Sequence, residues 1–344
     1  MPARPVSEEL LPWACGALGA PATGAALRPV AGDASNRRYF RLSLAGRDYI
    51  VAEAPPATEN NRAFLQVHEL LAAAGVRVPA LYAADLDRGF LLLEDLGDRL
   101  LLPALGSQTS DQHYNRALDI LQQMASVDAS ALPLPAYDAT LLGEELGRFP
   151  AWFARALLDC TPTAAEERLF ASLSRKLVDS ALEQPKVLVH RDFHSRNLML
   201  LEGGALAVID FQDAVVGPVT YDLVSLLRDC YIRWPADRVR AWALGYRDRL
   251  VAAGLLEPVT DEQFLRWFDW MGLQRHIKVL GTFARLFLRD GKPQYLNDLP
   301  LVLAYVEEVL DLYASSEPVF ADFRAWLRGR LSPLIAAQAW GRAS

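Results

Sequence analysis

Lysine is nearly missing from this sequence: Lys176, Lys186, Lys278 and Lys292 are the only four, and the first 175 positions hold none. Any cation that the first half of the chain offers to a ligand is therefore an arginine. Cysteine is as scarce. Cys15, Cys160 and Cys230 are odd in number and far apart, which excludes a disulfide scaffold and reads as free thiols in a reducing compartment. No run of 18 uncharged apolar residues occurs, so no membrane span is expected. A net charge of −7 removes the positive field that draws nucleic acid or an anionic membrane, so an anionic ligand must be met by a local basic site. Internal repeats and low-complexity linkers are lacking too. What is present is ordinary globular material: 344 residues, 52% hydrophobic and 22% charged, enough for one large domain or two lobes.

The apolar stretch from Leu10 to Leu18 resembles a short signal-peptide core, but Glu8 and Glu9 sit where a positive flank belongs. A helix capped by Ser7, with Leu10, Leu11, Ala14 and Leu18 inward, fits better. Short β-prone runs follow at 27–31, 38–44, 48–52, 79–84 and 89–94, punctuated by Gly32-Asp33 and Ala45-Gly46-Arg47. Between them, residues 59–74 carry Phe64, Val67, Leu70 and Leu71 at helical spacing, ended by Gly75. From Ser110 onward helices dominate, at 111–126, 140–158, 163–182, 219–232, 236–253, 261–290, 296–313 and 318–338. One β-rich interruption spans 186–212. The expected boundary lies near Gly97, giving a lobe of 1–97 and a lobe of 98–344.

The interruption carries the chemistry. Residues 187–213 read VLVHRDFHSRNLMLLEGGALAVIDFQD. A hairpin turning on Gly203-Gly204 places Glu202 opposite Ala205 and Asn197 opposite Asp210. An amide oxygen and a carboxylate then converge at its open end, and two hard oxygen ligands suit Mg²⁺. Asp192 lies five residues before Asn197, where a free carboxylate beside a metal–phosphate centre can orient and deprotonate an attacking hydroxyl. A rival reading takes His190, Asp192 and His194 as the His-x-Asp-x-His ligands of a metallohydrolase, which leaves Asn197 and Asp210 unused.

His190-Arg191-Asp192 with Asn197, then Asp210-Phe211, resembles the catalytic loop and metal-binding Asp-Phe of the protein-kinase-like superfamily. Gly217-Pro218 and Tyr221-Asp222 follow too soon for a peptide-docking platform, so the acceptor is a small molecule. Roughly residues 27–290 resemble the aminoglycoside phosphotransferase-like family. A narrower resemblance, to bacterial N-acetylmuramate/N-acetylglucosamine anomeric kinases of cell-wall recycling, is carried by several segments. They are Ser35–Arg41, Ala54-Pro55-Pro56, His190–Asn197, Ile209–Asp213 and Gln274–Lys278. The resemblance implies an α+β, two-lobed protein-kinase-like fold, with a small β-rich N-lobe and a large, mostly helical C-lobe. It implies ATP and Mg²⁺ as cofactors and a sugar acceptor; Asp192 and Asp213 are the carboxylates expected at the acceptor. Backbone groups of Glu94 and Leu96, in Leu93-Glu94-Asp95-Leu96-Gly97, would read the adenine edge. Asp222 would brace the catalytic loop.

Two departures stand out. Gly32–Arg37 replaces a glycine-rich loop, and its amides with Ser35 and Asn36 would cover the phosphates. The third-strand lysine is missing from Ile50–Ala54, so Arg38 or Arg41 is expected to take its place, unless these are only solvated strand charges; Glu69, on the helix, is either the counterpart of the glutamate that pairs with that lysine or a surface residue. On the acceptor side, Arg275, Lys278, Thr282, Arg285, Arg289 and Lys292 share one narrow helical face. That face is either a solvated stripe or, at its N-terminal end, a site where Arg275 and Lys278 meet an anionic acceptor. Exposed-pair energetics would limit their effect to ~1 kcal/mol. Trp267, Phe268 and Trp270 would either wall a sugar ring or pack the core.

The resulting expectation is a cytoplasmic, monomeric kinase that binds neither nucleic acid nor membrane. It would phosphorylate N-acetylmuramate and N-acetylglucosamine at the anomeric hydroxyl. Phosphorylation of an aminoglycoside or amino alcohol, a metallohydrolase, and a catalytically silent nucleotide-binding module stay open as alternatives.

Overall fold

The structure is a computed structural model describing residues 5–30, 37–128 and 134–342. In chain order come α1 (Leu10–Ala17), β1 (Leu27–Val30), β2 (Arg38–Leu44), β3 (Arg47–Glu53) and α2 (Asn61–Ala73). Next are β4 (Leu81–Asp85), β5 (Phe90–Glu94), α3 (Ser110–Ala125), α4 (Ala139–Arg148) and α5 (Ala164–Leu182). Then follow β6 (Lys186–Val189), β7 (Leu198–Leu200), β8 (Leu206–Val208), β9 (Val215–Pro218) and α6 (Tyr221–Leu227). The chain continues through α7 (Ala236–Ala252), α8 (Asp261–Leu288), α9 (Leu299–Tyr313), α10 (Pro318–Trp326) and α11 (Ser332–Ala337). It divides into two compact units, Met1–Leu105 with Arg196–Asp213, and Gly106–Ser195 with Ala214–Ser344. The first unit thus extends past Gly97 and takes in the β7–β8 hairpin from far along the chain.

In the first unit the five strands form one antiparallel sheet in the order β1-β2-β3-β5-β4. β2 and β3 turn on Ala45 and Gly46, both at positive φ, in the two-residue geometry whose twist suits a hairpin. Side chains alternate across the sheet, so Phe40, Leu42, Val51, Phe90 and Leu92 share one face. Leu10, Ala14 and Cys15 of α1 cover it and complete a buried core. Ser7 does not cap α1 as expected: the helix starts at Leu10 with Glu9 at its N-cap and no side-chain cap, and the Ser7 hydroxyl accepts the Glu9 amide at 3.3 Å instead. Asn60 caps α2 by accepting the Ala63 amide at 3.1 Å. Gly89 sits at φ +72°, where a Cβ would lie 2.8 Å from the Ala54 carbonyl carbon, so the β5 entrance admits only glycine.

The second unit is built around α8, whose residues are buried on nearly every side from Phe264 to Leu286. It contacts α4, α5, α6, α7 and α9. A helix apolar all round belongs at the centre of a unit, and α8 fits that rule except for its buried charges. The helix expected over 140–158 changes at Phe149 from α to π geometry, next to Pro150, which has no amide to donate. α8 crosses that junction at Gly281, where a Cβ would fall 2.5 Å from the Phe149 nitrogen. β6 pairs antiparallel with β9, a strand beyond the expected end of the β-rich stretch at 212.

Candidate active site

In the second unit the loop after β6 is held from both sides. Asp222, on α6, accepts the His190 amide at 2.6 Å and the Arg191 amide at 3.0 Å through its two carboxylate oxygens. This fixes Arg191 at φ +77°, a backbone state that non-glycine residues seldom adopt. Burial pushes the Asp222 carboxyl up to about 6, against the pull of His190 and the two amides. Asp229 provides a second clamp, accepting the Ser195 hydroxyl at 2.5 Å and its amide at 3.0 Å. Asp192 lies between these clamps.

Buried charges surround Asp192. Burial opposes its ionisation, but Lys278, His194, Arg275 and Arg191 outweigh it and hold the carboxyl down to about 2. The carboxylate is therefore ionised at neutral pH and ready to accept a hydrogen bond or a proton. Glu145, on α4 and fully buried, ties the basic groups together. It accepts Arg191 at 2.5 Å and the Tyr137 hydroxyl, and Lys278 lies 3.1 Å away. Burial raises the Glu145 pKa, yet Lys278 and Arg191 bring it below the usual carboxylate range. Lys278 also donates to the Tyr221 hydroxyl at 2.9 Å.

Arg275 differs. It is 3% exposed, its Nη1 is 3.5 Å from the Cys230 sulfur, and no carboxylate among the described residues lies within ion-pair distance of it. The solvated-stripe reading of α8 therefore fails for Arg275 and Lys278 and holds only toward the far end, where Arg289 is exposed. Trp267, Phe268 and Trp270 are buried. The Trp267 indole donates to Glu183 at 2.6 Å and Trp270 packs on Tyr313 and Phe320, so core packing is their role.

In the first unit, β7 and β8 pair as Leu198↔Val208, Met199↔Ala207 and Leu200↔Leu206. This register is one residue off the expected one: Asn197 lies opposite Ile209, whose amide donates to its carbonyl at 3.1 Å, and not opposite Asp210. The cause is the turn. Leu201 closes on Ala205 at 2.8 Å around Glu202-Gly203-Gly204, a three-residue loop in place of the two-residue one. Asp210 follows at φ +64°, so the backbone itself re-aims its side chain at the end of the hairpin. Gln212 donates to Asp210 at 2.9 Å, and the Phe211 ring stacks on Phe64 at 5.0 Å. A carboxylate and an amide oxygen are a donor set that fits Mg²⁺ completed by phosphate and water oxygens.

The metallohydrolase set is not assembled. Among the described residues no group of three or more His, Cys, Asp and Glu side chains is placed to hold a metal. The Asp192 amide donates to His190 Nδ1 at 3.3 Å, while His194 packs edge-on against Tyr231.

The nucleotide candidates fare unevenly. Ser35 and Asn36 lie outside the described residues. Arg38 falls on the α1 face of the sheet, where it pairs with Glu53 and donates to the Pro5 carbonyl at 2.9 Å. Arg41 is clamped by Asp95 and Asp98, with contacts of 3.0 and 2.8 Å. The Glu94 amide donates to the Ala80 carbonyl at 2.8 Å, so the amide is engaged within the sheet. Leu96 is partly buried and Asp213 is exposed. Arg37, which the sequence suggested only as the end of the phosphate-covering turn, is 3% exposed. Glu145 went unnoticed in sequence, although a carboxylate among Leu142, Leu146 and Phe149 on an apolar helical face is a legible signal.

A two-unit α+β chain with this loop and hairpin has the makings of a phosphotransferase. Residues 26–271 match the model of the phosphotransferase enzyme family, and the chain belongs to that family. It is 45% identical, over 83% of both chains, to the N-acetylmuramate/N-acetylglucosamine kinase of Pseudomonas putida. To the protein of the same name from Pseudomonas aeruginosa it is 46% identical, over 82% of this chain and 83% of the relative. The fold is shared with a choline kinase of Streptococcus pneumoniae, also solved with AMP bound, at a TM-score of 0.58 and 17% identity. That match covers 82% of this chain and 93% of the other.

Proposed function

We propose that this protein is an ATP- and Mg²⁺-dependent sugar kinase that phosphorylates N-acetylmuramate and N-acetylglucosamine on the anomeric hydroxyl. The observation that carries the reading is the 45–46% identity to kinases of that name across more than four-fifths of the chain. In this reading Asp192 orients the acceptor hydroxyl and takes its proton. In a loose phosphoryl-transfer transition state the nucleophile needs positioning more than strong deprotonation, which suits a carboxylate of low pKa. Asn197 and Asp210 would hold Mg²⁺, which neutralises charge on the phosphates when bound. Asp222 keeps the catalytic loop in its strained conformation. The carbonyl of Glu94 and the backbone of Leu96 take the adenine edge, while Ser35 and Asn36 cover the phosphates. Arg275 meets the lactyl carboxylate of N-acetylmuramate; Lys278 and Asp213 complete the acceptor surroundings.

Arg275, with no carboxylate within ion-pair distance among the described residues, supports this reading over a polycationic aminoglycoside, which would meet like charge there; Lys278 and Arg191 are already countered by Glu145. The protein would act as a cytoplasmic monomer; all three cysteines are buried and free. Incubation with ATP, Mg²⁺ and a panel of sugars and aminoglycosides, followed by phosphorus NMR, tests the proposal. An anomeric phosphate on both N-acetylated sugars is expected. Preferential phosphorylation of an aminoglycoside, or nucleotide binding without turnover, would overturn it.

A further inference from the structure

We infer that Arg37 is the cation with which the first unit meets the nucleotide phosphates, and that Glu59 is its positioning partner. This rests on the kinase reading above. A polyphosphate chelated by one Mg²⁺ keeps a net negative charge, and a planar guanidinium is well suited to bind it. No lysine exists in this part of the chain, and the geometry sorts the three arginines at the β2 end of the expected phosphate-covering turn. Alternation along β2 sends Arg38 to the α1 face, onto Glu53, with its guanidinium 5.8 Å from the Phe40 ring. Arg41 points to the opposite face but is held at the β5 end by Asp95 and Asp98. Arg37, one position before β2, shares the face of Tyr39 and Arg41.

Its surroundings connect it, through two packed rings, to the segment of the proposed metal ligand. The Arg37 guanidinium lies 5.0 Å from the centre of the Phe64 ring, and Phe64 stacks at 5.0 Å on Phe211, the residue after Asp210. The Tyr39 phenol, pushed up chiefly by burial, feels both Arg37 and Asp210. Glu59, just ahead of α2, stands 3.7 Å from Arg37, with the two side chains 12% and 1% exposed. A cation this buried needs a fixed counter-charge to stay where it is. Glu59 supplies one within ion-pair distance, and a phosphate beside Asp210 would be a further anion for the guanidinium to meet.

Calorimetric binding of MgATP, MgADP and adenosine to the full chain tests this. Arg37→Met should weaken both phosphorylated ligands at least tenfold and leave adenosine unchanged. Arg37→Lys should recover most of the loss. Glu59→Gln, which keeps the side-chain shape and covers the case of a Met variant that does not fold, should raise the ATP KM several-fold and spare the acceptor KM. Equal weakening of all three ligands, or no weakening, would overturn the assignment while leaving the kinase reading intact. A parent protein that binds no adenine nucleotide would overturn both.

Discussion

Replacing Arg275 by Met should separate the two proposed sugars. The guanidinium is 3% exposed and has a neutral thiol as its hydrogen-bond partner, with burial pushing Cys230 up to about 11 so that it stays protonated. Asp192 acts on it from further off, but no carboxylate among the described residues lies within ion-pair distance, so an incoming carboxylate would add a direct pair. Exposed ion pairs contribute at most ~1 kcal/mol, which was the limit expected from sequence alone. Truncating one partner of a buried, hydrogen-bonded charge pair costs about 2–5 kcal/mol. At the lower end, about 2–3 kcal/mol, the expected loss in kcat/KM for N-acetylmuramate is roughly 30–150-fold. Neutral N-acetylglucosamine lacks the carboxylate and should lose far less. Lys278→Met is the internal comparison. Glu145 at 3.1 Å already counters that charge, so its loss should fall on both sugars alike. The assay is steady-state kinetics with each sugar at saturating MgATP, alongside thermal unfolding. Equal losses for both sugars in Arg275→Met, with unfolding unchanged, would refute the carboxylate pairing.

Asp192→Asn should lower kcat by about 10²–10⁴ while calorimetry still detects nucleotide binding, and near-parental turnover would remove Asp192 from its role. Asp210→Ala and Asn197→Ala should each raise the Mg²⁺ concentration needed for half-maximal rate. Asp210 should matter more because it brings the charge, and unchanged Mg²⁺ titrations would take both off the metal. The folded pKa of Asp222, about 6, lies above its ordinary 3.8, so the native state holds this proton more tightly than the unfolded chain. Its stabilising contribution is complete below pH 3.8 and is lost as pH rises through about 6. Denaturant titrations of the parent and of Asp222→Asn across that window should differ in slope, and parallel curves would contradict the shift.

Much of the candidate site could be read from one stretch of sequence because its parts are local. Asp192, Asn197 and Asp210 sit on a loop and a short hairpin, and turn residues with apolar strands announce both. What misled was one residue of register: Gly203-Gly204 suggests a two-residue turn, but the chain uses three, which moves Asn197 opposite Ile209. Asp210 lies beyond the hairpin at positive φ, so its side-chain direction is set by that backbone state and not by direct pairing with Asn197.

Residue type, spacing and local periodicity determined the family, the α+β class, the loop-and-hairpin motif and the core face of the sheet. These follow from alternation every two residues in strands and every three to four in helices, and neighbours in sequence decide them. Tertiary structure alone decided the use of each charge. Arg37, Arg38 and Arg41 are near-equivalent in sequence, yet strand alternation and the carboxylates of Glu53, Asp95 and Asp98 separate them. Arg275 and Lys278 look like a solvated stripe until α8 becomes the centre of its unit and buries both. A charge takes its energy from groups within a few ångströms, and here those groups arrive from elements far along the chain.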